Sequence, residues 1–149
     1  MDINPTAPVL TRDEILIDAP LAVVWRMQTD IAAWPRWRPQ VPTVRFEGDL
    51  AVGSVFHWEE GGLQITSTVR EISPPRRLVW DGPAQGIYAI HVWQFTPTDR
   101  GVLVHTEESW EGEPVRAQLA TQQPLLNGAI RTWLTNLKHA AESRGLTSA

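Results

Sequence analysis

Apolar residues recur near the end of the chain with the period of an α-helix. Between residues 125 and 145 the spacings between them are four, three, four and four residues, which places the set on one side of a helix. The members of this stripe are Leu126, Ile130, Trp133, Leu137 and Ala141. Gly145 follows the last of them as the predicted C-cap. An amphipathic helix of this length needs a large apolar surface to pack against, and the rest of the chain must supply it.

Between residues 41 and 112 the pattern changes to the two-residue alternation of β-strands. Glycine- and proline-rich turns separate six short runs, and connections this short predict sequential antiparallel pairing. The runs are Thr43–Glu47, Ser54–Glu60, Leu63–Ser73, Arg77–Asp81, Ile87–Thr96 and Val102–Glu111. With an earlier strand that ends at Asp18, the sequence predicts a sheet of seven strands.

The tight turns also predict which residues face one another. Pairing across Gly61–Gly62 sets Trp58 opposite Ile65, and the later turns set Trp80 opposite Ala89 and Phe95 opposite Val102. Each of these pairings keeps the bulky apolar side chains on one face, as expected of a sheet that is covered on one side. That face carries Phe56, Trp58, Ile65, Val69, Leu78, Trp80, Trp93, Phe95, Val102, Val104 and Trp110.

Prolines mark the remaining boundaries. Residues 1–8 have no periodicity and are predicted to form a loose leader. Pro20 suits the first turn of a short helix, and Asp30 can cap a second one that Pro35 limits. Near the end, Pro124 predicts a kink or a break ahead of the long helix, because it cannot donate to a preceding carbonyl.

Four segments in this order resemble the START-like (SRPBCC) superfamily, and in particular its polyketide cyclase/dehydrase-like helix-grip proteins. They are Ile17–Trp25, the Asp30–Pro39 segment with its Trp-Pro and Trp-Arg-Pro steps, Val69–Trp80, and Trp133–Lys138. The resemblance implies one α+β domain over residues 1–149. In it, a seven-stranded curved antiparallel sheet wraps a long C-terminal helix, with two short helices between strands one and two.

The resemblance also implies a cavity between sheet and helix that takes an apolar ligand. Members of the superfamily include ligand binders, lipid carriers, aromatase/cyclases and partners of chaperones, so the family leaves the activity open. The tryptophans, eight against a single tyrosine, suit either a thick core or the lining of such a cavity.

Composition narrows the class of protein. The formal net charge of −4 gives no electrostatic reason to expect nucleic acid as a partner. The absence of cysteine excludes disulfides and thiolate ligands, the histidines lack metal-ligand spacing, and no cofactor is predicted. No apolar run is long enough to insert in a membrane, and no signal peptide is predicted, so a cytoplasmic location is expected. An exposed edge strand would permit a homodimer.

Two residues on the apolar face are candidates for chemistry. The predicted register places Glu108 beside Ala89 and diagonal to His91 on the neighbouring strand. A carboxylate on an apolar face loses hydration, which raises its pKa, and the two side chains could act as an acid/base pair. The alternative is a structural hydrogen bond between them, or a Glu108 that touches water at the mouth of the cavity.

Further residues are candidates for contact with a ligand. They are Trp58, Ser67, Trp80, Ala89, Trp93, Thr106, Trp110, Gln122, Leu126, Ile130 and Trp133. The arginines of the proline-rich region, Arg36 and Arg38 among them, are expected on a solvated surface, and Trp34 and Trp37 form either a lid or a pin for their loop.

Three functions are compatible with this pattern. The first is the binding of a hydrophobic small molecule, aromatic or polyketide-like, between the sheet and the last helix. The second is a cyclase or dehydratase that uses Glu108 and His91. The third is a protein-interaction module with a collapsed pocket.

Overall fold

A computed structural model describes residues 1–147, and the side chains of residues 1–144. It contains seven strands, two short helical segments after the first strand, and a long final helix. The strands are β1 (Val9–Ile17), β2 (Val44–Arg45), β3 (Val55–Glu60), β4 (Leu63–Ser73), β5 (Arg77–Ala84), β6 (Ile87–Thr98) and β7 (Gly101–Glu111). The helices are α1 (Leu21–Thr29), a 3-10 helix (Ile31–Arg36), α2 (Glu113–Ala117) and α3 (Leu119–Thr147).

The seven strands form one antiparallel sheet in the order β1-β7-β6-β5-β4-β3-β2. Its inner face packs against α3, whose predicted apolar stripe is buried from Leu126 to Ala141. The inward-facing residues expected from the alternation all belong to this core. The predicted α+β helix-grip architecture is therefore confirmed, including the two short helical segments between β1 and β2.

The register is as predicted at one hairpin and shifted at the others. Trp58 does pair with Ile65 across the β3–β4 hairpin. Between β4 and β5, Val69 pairs with Trp80, and a bulge at Arg70 then shifts the register by one residue. The β5–β6 turn is only Gln85–Gly86, so Trp80 pairs with His91 and not with Ala89. Because this shift is two residues, every side chain keeps its face.

The β6–β7 hairpin shows the same kind of shift. Thr98 pairs with Gly101, which places Phe95 opposite Val104 and not opposite Val102. As a consequence His91 lies directly opposite Glu108, where the sequence predicted a diagonal relation. The two candidate residues are therefore closer neighbours than the predicted turn allowed.

A break at Pro124, one of the two predicted outcomes, does not occur, because α3 continues through this residue. The helical path breaks at Gln118, whose φ of −141° and ψ of 48° separate α2 from α3. Pro124 is the sixth residue of α3, so the helix lacks the hydrogen bond that an N–H at this position would donate to the carbonyl of Ala120. Gly145 also lies within α3 and does not cap it.

Residues 1–8 are not a loose leader. Ile3 is buried on the outer face of the sheet, against Val79, Ile90 and Val92. The backbone N–H of Asn4 donates to Ser109 Oγ at 3.1 Å. The outer face therefore carries an apolar patch, which the two-residue alternation did not predict. The first residues of the chain cover this patch.

Candidate functional site

A cavity of about 130 Å³ lies between the inner face of the sheet and α3. Its walls come from β3, β4, β5, β6, β7 and the middle of α3, and its rim includes the exposed Leu125. The lining residues are Trp58, Glu60, Gly61, Leu63, Ile65, Ser67, Trp80, Gly82, Ala84, Ile87, Ala89, Glu108, Trp110, Leu125, Leu126, Ala129, Ile130 and Trp133. The interaction-module alternative required a collapsed pocket, and this structure has an open one.

Most of the predicted ligand-contacting residues lie on the wall of this cavity. They are Trp58, Ser67, Trp80, Ala89, Trp110, Leu126, Ile130 and Trp133, together with Glu108 as the candidate acid. Ser67 accepts a hydrogen bond from Trp58 Nε1 at 3.0 Å and keeps its own hydroxyl hydrogen for another acceptor. The tertiary fold thus gathers in one place residues that are spread over more than seventy positions of sequence.

Four predicted residues do not line the cavity. Trp93 is fully buried one layer behind it, with its ring 5.0 Å from that of Trp133. Thr106 and His91 are buried neighbours of Glu108 on β7 and β6, and Gln122 lies in the first turns of α3, outside the lining. Of these four residues, His91 still affects the cavity, because it contacts Glu108, which is a lining residue.

Glu108 is the polar group that most affects the chemistry of the cavity. Its side chain is 14% exposed, its Oε1 lies 3.4 Å from His91 Nδ1, and Trp110 Nε1 donates to its Oε2 at 2.9 Å. Burial is the main cause that raises the pKa of Glu108 to about 8, with Glu60 adding to the rise. The hydrogen bond from Trp110 and the charge of Arg38 oppose it.

The partners of His91 define where its proton lies. Thr106 Oγ1 donates to the carbonyl of Val92 at 2.8 Å, so its single hydrogen is already used. The 2.9 Å contact between Thr106 and His91 Nε2 must therefore be donated by the histidine. This assignment leaves His91 Nδ1 as an unprotonated acceptor directed at Glu108.

The two groups together hold a single proton near neutral pH. Burial, and to a lesser degree the charge of Arg38, lowers the pKa of His91 well below its usual value, so the imidazole is neutral. Glu108 is the protonated member, and its Oε1 lies 3.4 Å from His91 Nδ1 without the geometry of a hydrogen bond. The cavity wall therefore presents a neutral carboxylic acid, backed by a neutral imidazole.

Arg38 is the residue that sequence reasoning placed wrongly. It was expected on the surface, but its side chain is completely buried, with the guanidinium carbon 3.8 Å above the centre of the Trp133 ring. Its Nη2 is hydrogen-bonded to Glu60, while Nε and Nη1 have no partner within the described part of the chain. Desolvation lowers the pKa of Arg38. No local signal identifies this burial, because its partners Trp133 and Glu60 are far from it in the sequence.

Glu60 is a lining residue that the sequence analysis did not name, and of the two alternatives for Trp34 the structure shows the pin. Glu60 continues the inward alternation of Phe56 and Trp58, so the same pattern could have identified it as a lining residue. Trp34 is fully buried core, with its ring 5.1 Å from that of Trp133, and not a lid. Its Nε1 donates to the carbonyl of Gln28 at 3.0 Å, which fixes the 3-10 helix to α1.

Neither a metal site nor a membrane-spanning helix is found in residues 1–147. No group of three or more His, Asp or Glu side chains in this range is placed to hold a metal ion. None of its helices combines the length and apolarity that crossing a bilayer requires.

Solved structures with the same architecture have low sequence identity. A hypothetical protein from Helicobacter pylori superposes with a TM-score of 0.79 at 21% identity, over 93% of this chain and 91% of that one. The di-domain aromatase/cyclase StfQ of steffimycin biosynthesis superposes with a TM-score of 0.76 at 15% identity, over 91% of this chain and 51% of its own length. A START superfamily protein from Mycobacterium smegmatis gives a TM-score of 0.68 at 13% identity, over 94% and 99% of the two chains.

At these identities the structural neighbours establish the fold alone. The sequence itself matches a family model over residues 9–142, which is nearly the whole chain. Its match begins with the first residue of β1 and ends in α3, so it includes every strand and the cavity between sheet and helix. The chain belongs to the polyketide cyclase/dehydrase and lipid transport family.

Proposed function

We propose that this protein binds a small aromatic molecule in the cavity between its sheet and α3. The observation that carries the proposal is the cavity itself, about 130 Å³ of space walled by tryptophan and aliphatic side chains with few polar groups. Ligand sites commonly have this composition, because apolar walls supply affinity while a few polar groups fix orientation. Family membership and structural neighbours such as the aromatase/cyclase StfQ also support the binding of a small aromatic molecule.

The size of the cavity limits what it holds. A closed apolar cavity of about 150 Å³ in another protein accepts benzene, so a space of this size suits one aromatic ring. A larger ligand would extend past Gly61 and Leu125 at the rim. We therefore expect one ring to be enclosed by the indoles of Trp58, Trp80 and Trp133, with any further part of the molecule at the mouth.

Native mass spectrometry of the freshly purified protein tests this proposal. A co-purified or added monocyclic aromatic compound should appear as a mass increment that gentle activation removes. Ala129→Phe should abolish the increment, because Ala129 lies on the cavity wall and a phenyl ring there would occupy the space.

Gly128→Phe is the matched control for that substitution. Gly128 is the neighbouring residue of α3, and nothing lies within 4 Å of the position where its Cβ would be. The same ring is therefore added to the same helix but outside the cavity, and binding should persist. Equal binding by both variants would place the ligand elsewhere and refute the proposal.

A second candidate function, acid catalysis, is supported by one observation. Glu108 lies on the cavity wall with its Oε1 3.4 Å from His91 Nδ1, an arrangement that suits a general acid with a positioning residue beside it. In this proposal Glu108 protonates a ligand carbonyl during enolisation, cyclisation or dehydration. His91 does not reach the cavity and acts through Glu108.

Turnover of a β-polyketone substrate would test this second candidate. Glu108→Gln and His91→Asn should each remove turnover of this polyketone. The circular dichroism spectrum and the affinity for the polyketone should not change. A protein that binds such substrates and never converts them, whichever residue stands at 108, would be a binder and not a cyclase or dehydratase.

A further inference from the structure

The polar groups that line the cavity are acidic or neutral. Glu60 and Glu108 contribute carboxyl groups and Ser67 a hydroxyl, and no arginine, lysine or histidine side chain is among the lining residues that the structure describes. The part of α3 that forms one wall contributes Leu125, Leu126, Ala129, Ile130 and Trp133, all uncharged. A ligand with a carboxylate would therefore meet no cation at the wall and two carboxyl groups.

Three of the four indoles that line the cavity use their N–H groups inside the protein. Trp110 Nε1 donates to Glu108 at 2.9 Å, Trp58 Nε1 to Ser67 at 3.0 Å and Trp133 Nε1 to Gln28 at 3.0 Å. Because these three N–H groups are already paired, the three rings offer a ligand their π faces. The face of an indole attracts a cation more strongly than any other side-chain ring does.

Arg38 shows that this cluster of indoles already accommodates a desolvated positive charge. Its guanidinium carbon is 3.8 Å from the centre of the Trp133 ring, and the residue is completely buried. Glu60 is hydrogen-bonded to that guanidinium, so the pair is close to neutral as a unit. Glu108 has no such partner, and its contacts are with Trp110 and the neutral His91.

We propose that the cavity selects a ligand that carries a positively charged nitrogen next to its aromatic ring, with Glu108 as the counter-ion and the tryptophan rings as the cation–π surface. This inference rests on the proposed function and specifies the chemical class of the ligand. An arylalkylamine in its ammonium form is the simplest molecule of this class, and an arylcarboxylate of the same size should be excluded.

Binding of such a cation is coupled to the loss of one proton. In the empty cavity Glu108 is protonated, and the groups that face it are His91 from β6, Glu60 from β3, Trp110 from β7 and Arg38 from the loop after the 3-10 helix. When the ammonium group enters, the O–H bond of Glu108 breaks and its proton leaves to water. An N–H of the ligand then donates to the carboxylate, and no other bond changes.

Benzylamine, benzyl alcohol and benzoate form a probe series with one ring and one short polar arm. Isothermal titration calorimetry should give benzylamine an affinity at least about tenfold above benzyl alcohol, as a cation–π contact and a charge-assisted hydrogen bond allow. Benzoate should show no binding. Titrations in two buffers of different ionisation enthalpy should report the release of nearly one proton per benzylamine at neutral pH.

Glu108→Gln should reduce the affinity for benzylamine by about tenfold and leave benzyl alcohol within about twofold, because the amide keeps the shape and loses the charge. Glu107→Gln is the matched control. Glu107 is the adjacent residue of β7, but it faces the outer side of the sheet, where it contacts His105 at 2.7 Å. This variant should keep the order of the three affinities, and thermal melts should show that both variants are folded.

The outcomes separate this inference from the function on which it rests. If benzyl alcohol binds as tightly as benzylamine, or if benzoate binds best, the charge preference is wrong while the aromatic-ligand proposal stands. Binding of benzylamine without proton release would also overturn the role of Glu108 as counter-ion. If none of the three probes binds, and none competes with a co-purified ligand, both proposals fail together.

Discussion

The Glu108–His91 pair gives the protein a pH dependence that neither residue would have alone. Unfolded, the glutamate titrates near 4.5 and the histidine near 6.5, whereas in the folded protein the pair keeps one proton up to about pH 8. Between about pH 4.5 and about pH 6.5 both states hold one proton, so the pair contributes no slope there. Below that window the unfolded state binds more protons, and above it the folded state does.

The sign of each effect follows from linkage. His91, with its lowered pKa, contributes stability that is lost as pH falls below 6.5. Between about pH 4.5 and about pH 6.5 this loss is offset by the stability that Glu108 gains as pH falls. Glu108, with its raised pKa, contributes stability that is lost as pH rises towards 8. The contribution of the pair is thus a plateau between about pH 4.5 and about pH 6.5.

We predict that the free energy of unfolding falls by about 2 kcal/mol between pH 6.5 and pH 8 because of this pair. In Glu108→Gln this alkaline decrease should be absent, since the amide does not ionise. Urea denaturation across that range measures the slope for both proteins. The same slope in both would mean that Glu108 is ionised already at neutral pH.

Arg38 and Glu60 should respond unequally to substitution. Glu60→Gln leaves a buried guanidinium without a counter-ion and should cost about 3 kcal/mol, as the loss of one member of a buried pair does. Arg38→Met replaces the cation by an apolar side chain of similar length and should change stability by less than about 1 kcal/mol in either direction, because Glu60 can turn to water. Chemical denaturation of the two variants compares these costs. The reverse order would mean that the guanidinium stabilises the fold by more than its desolvation costs.

At the scale of elements, β5 approaches β4 so closely at Gly82 that a side chain there would not fit. Gly82 has φ +157° and faces Ala89 across the β5–β6 hairpin. A Cβ at this glycine would lie 1.9 Å from the carbonyl oxygen of Thr66 on β4. The close approach of β4 and β5 here places Ser67 and Gly82 side by side on the cavity wall.

Gly82→Ala is accordingly expected to destabilise the protein by about 3 kcal/mol or more, since a backbone oxygen cannot move away as a side chain can. Gly128→Ala is the contrasting change, because that glycine lies in α3 with open space around it. It should stabilise the protein by about 0.5–1 kcal/mol through helix propensity. Thermal melts of the two variants measure the contrast, and a Gly82→Ala protein as stable as the parent would contradict the close strand approach.

At the scale of the whole molecule, both faces of the sheet are covered in part. The inner face packs against α3, and the first residues of the chain cover the apolar patch of Val79, Ile90 and Val92 on the outer face. Ile3 is the residue of that segment that is buried in the patch, at 5% exposure. The segment is held at its flank by the hydrogen bond from Asn4 to Ser109.

Ile3→Ala should lower the free energy of unfolding by about 1–2 kcal/mol, less than a core isoleucine costs because a terminal segment can detach locally. Leu16→Ala serves as the comparison, since Leu16 is 38% exposed, and it should change stability by less than about 0.5 kcal/mol. Denaturant titration distinguishes the two. Equal, small effects would mean that the segment does not stay on the patch in solution.

The strands, the faces of the sheet and the last helix could be predicted from the pattern of apolar residues. Those features depend on periods of two and 3.6 residues, and a register error of two residues leaves each side chain on its face. The placement of Glu108, Trp58 and Ile130 on one wall therefore survived the wrong turn lengths at both later hairpins. The resemblance to the family added the helix-grip arrangement of these elements.

Only the tertiary structure decided the distances and the charges of the site. Whether His91 is opposite or diagonal to Glu108 depends on the length of the β6–β7 turn, and the sequence around Asp99 and Arg100 does not specify that length uniquely. The burial of Arg38 depends on a loop without periodicity, which folds inward because Trp133 and Glu60 come from distant elements to meet it. Local pattern fixes which face a side chain occupies, whereas the environment that sets its charge comes from residues far apart in the chain.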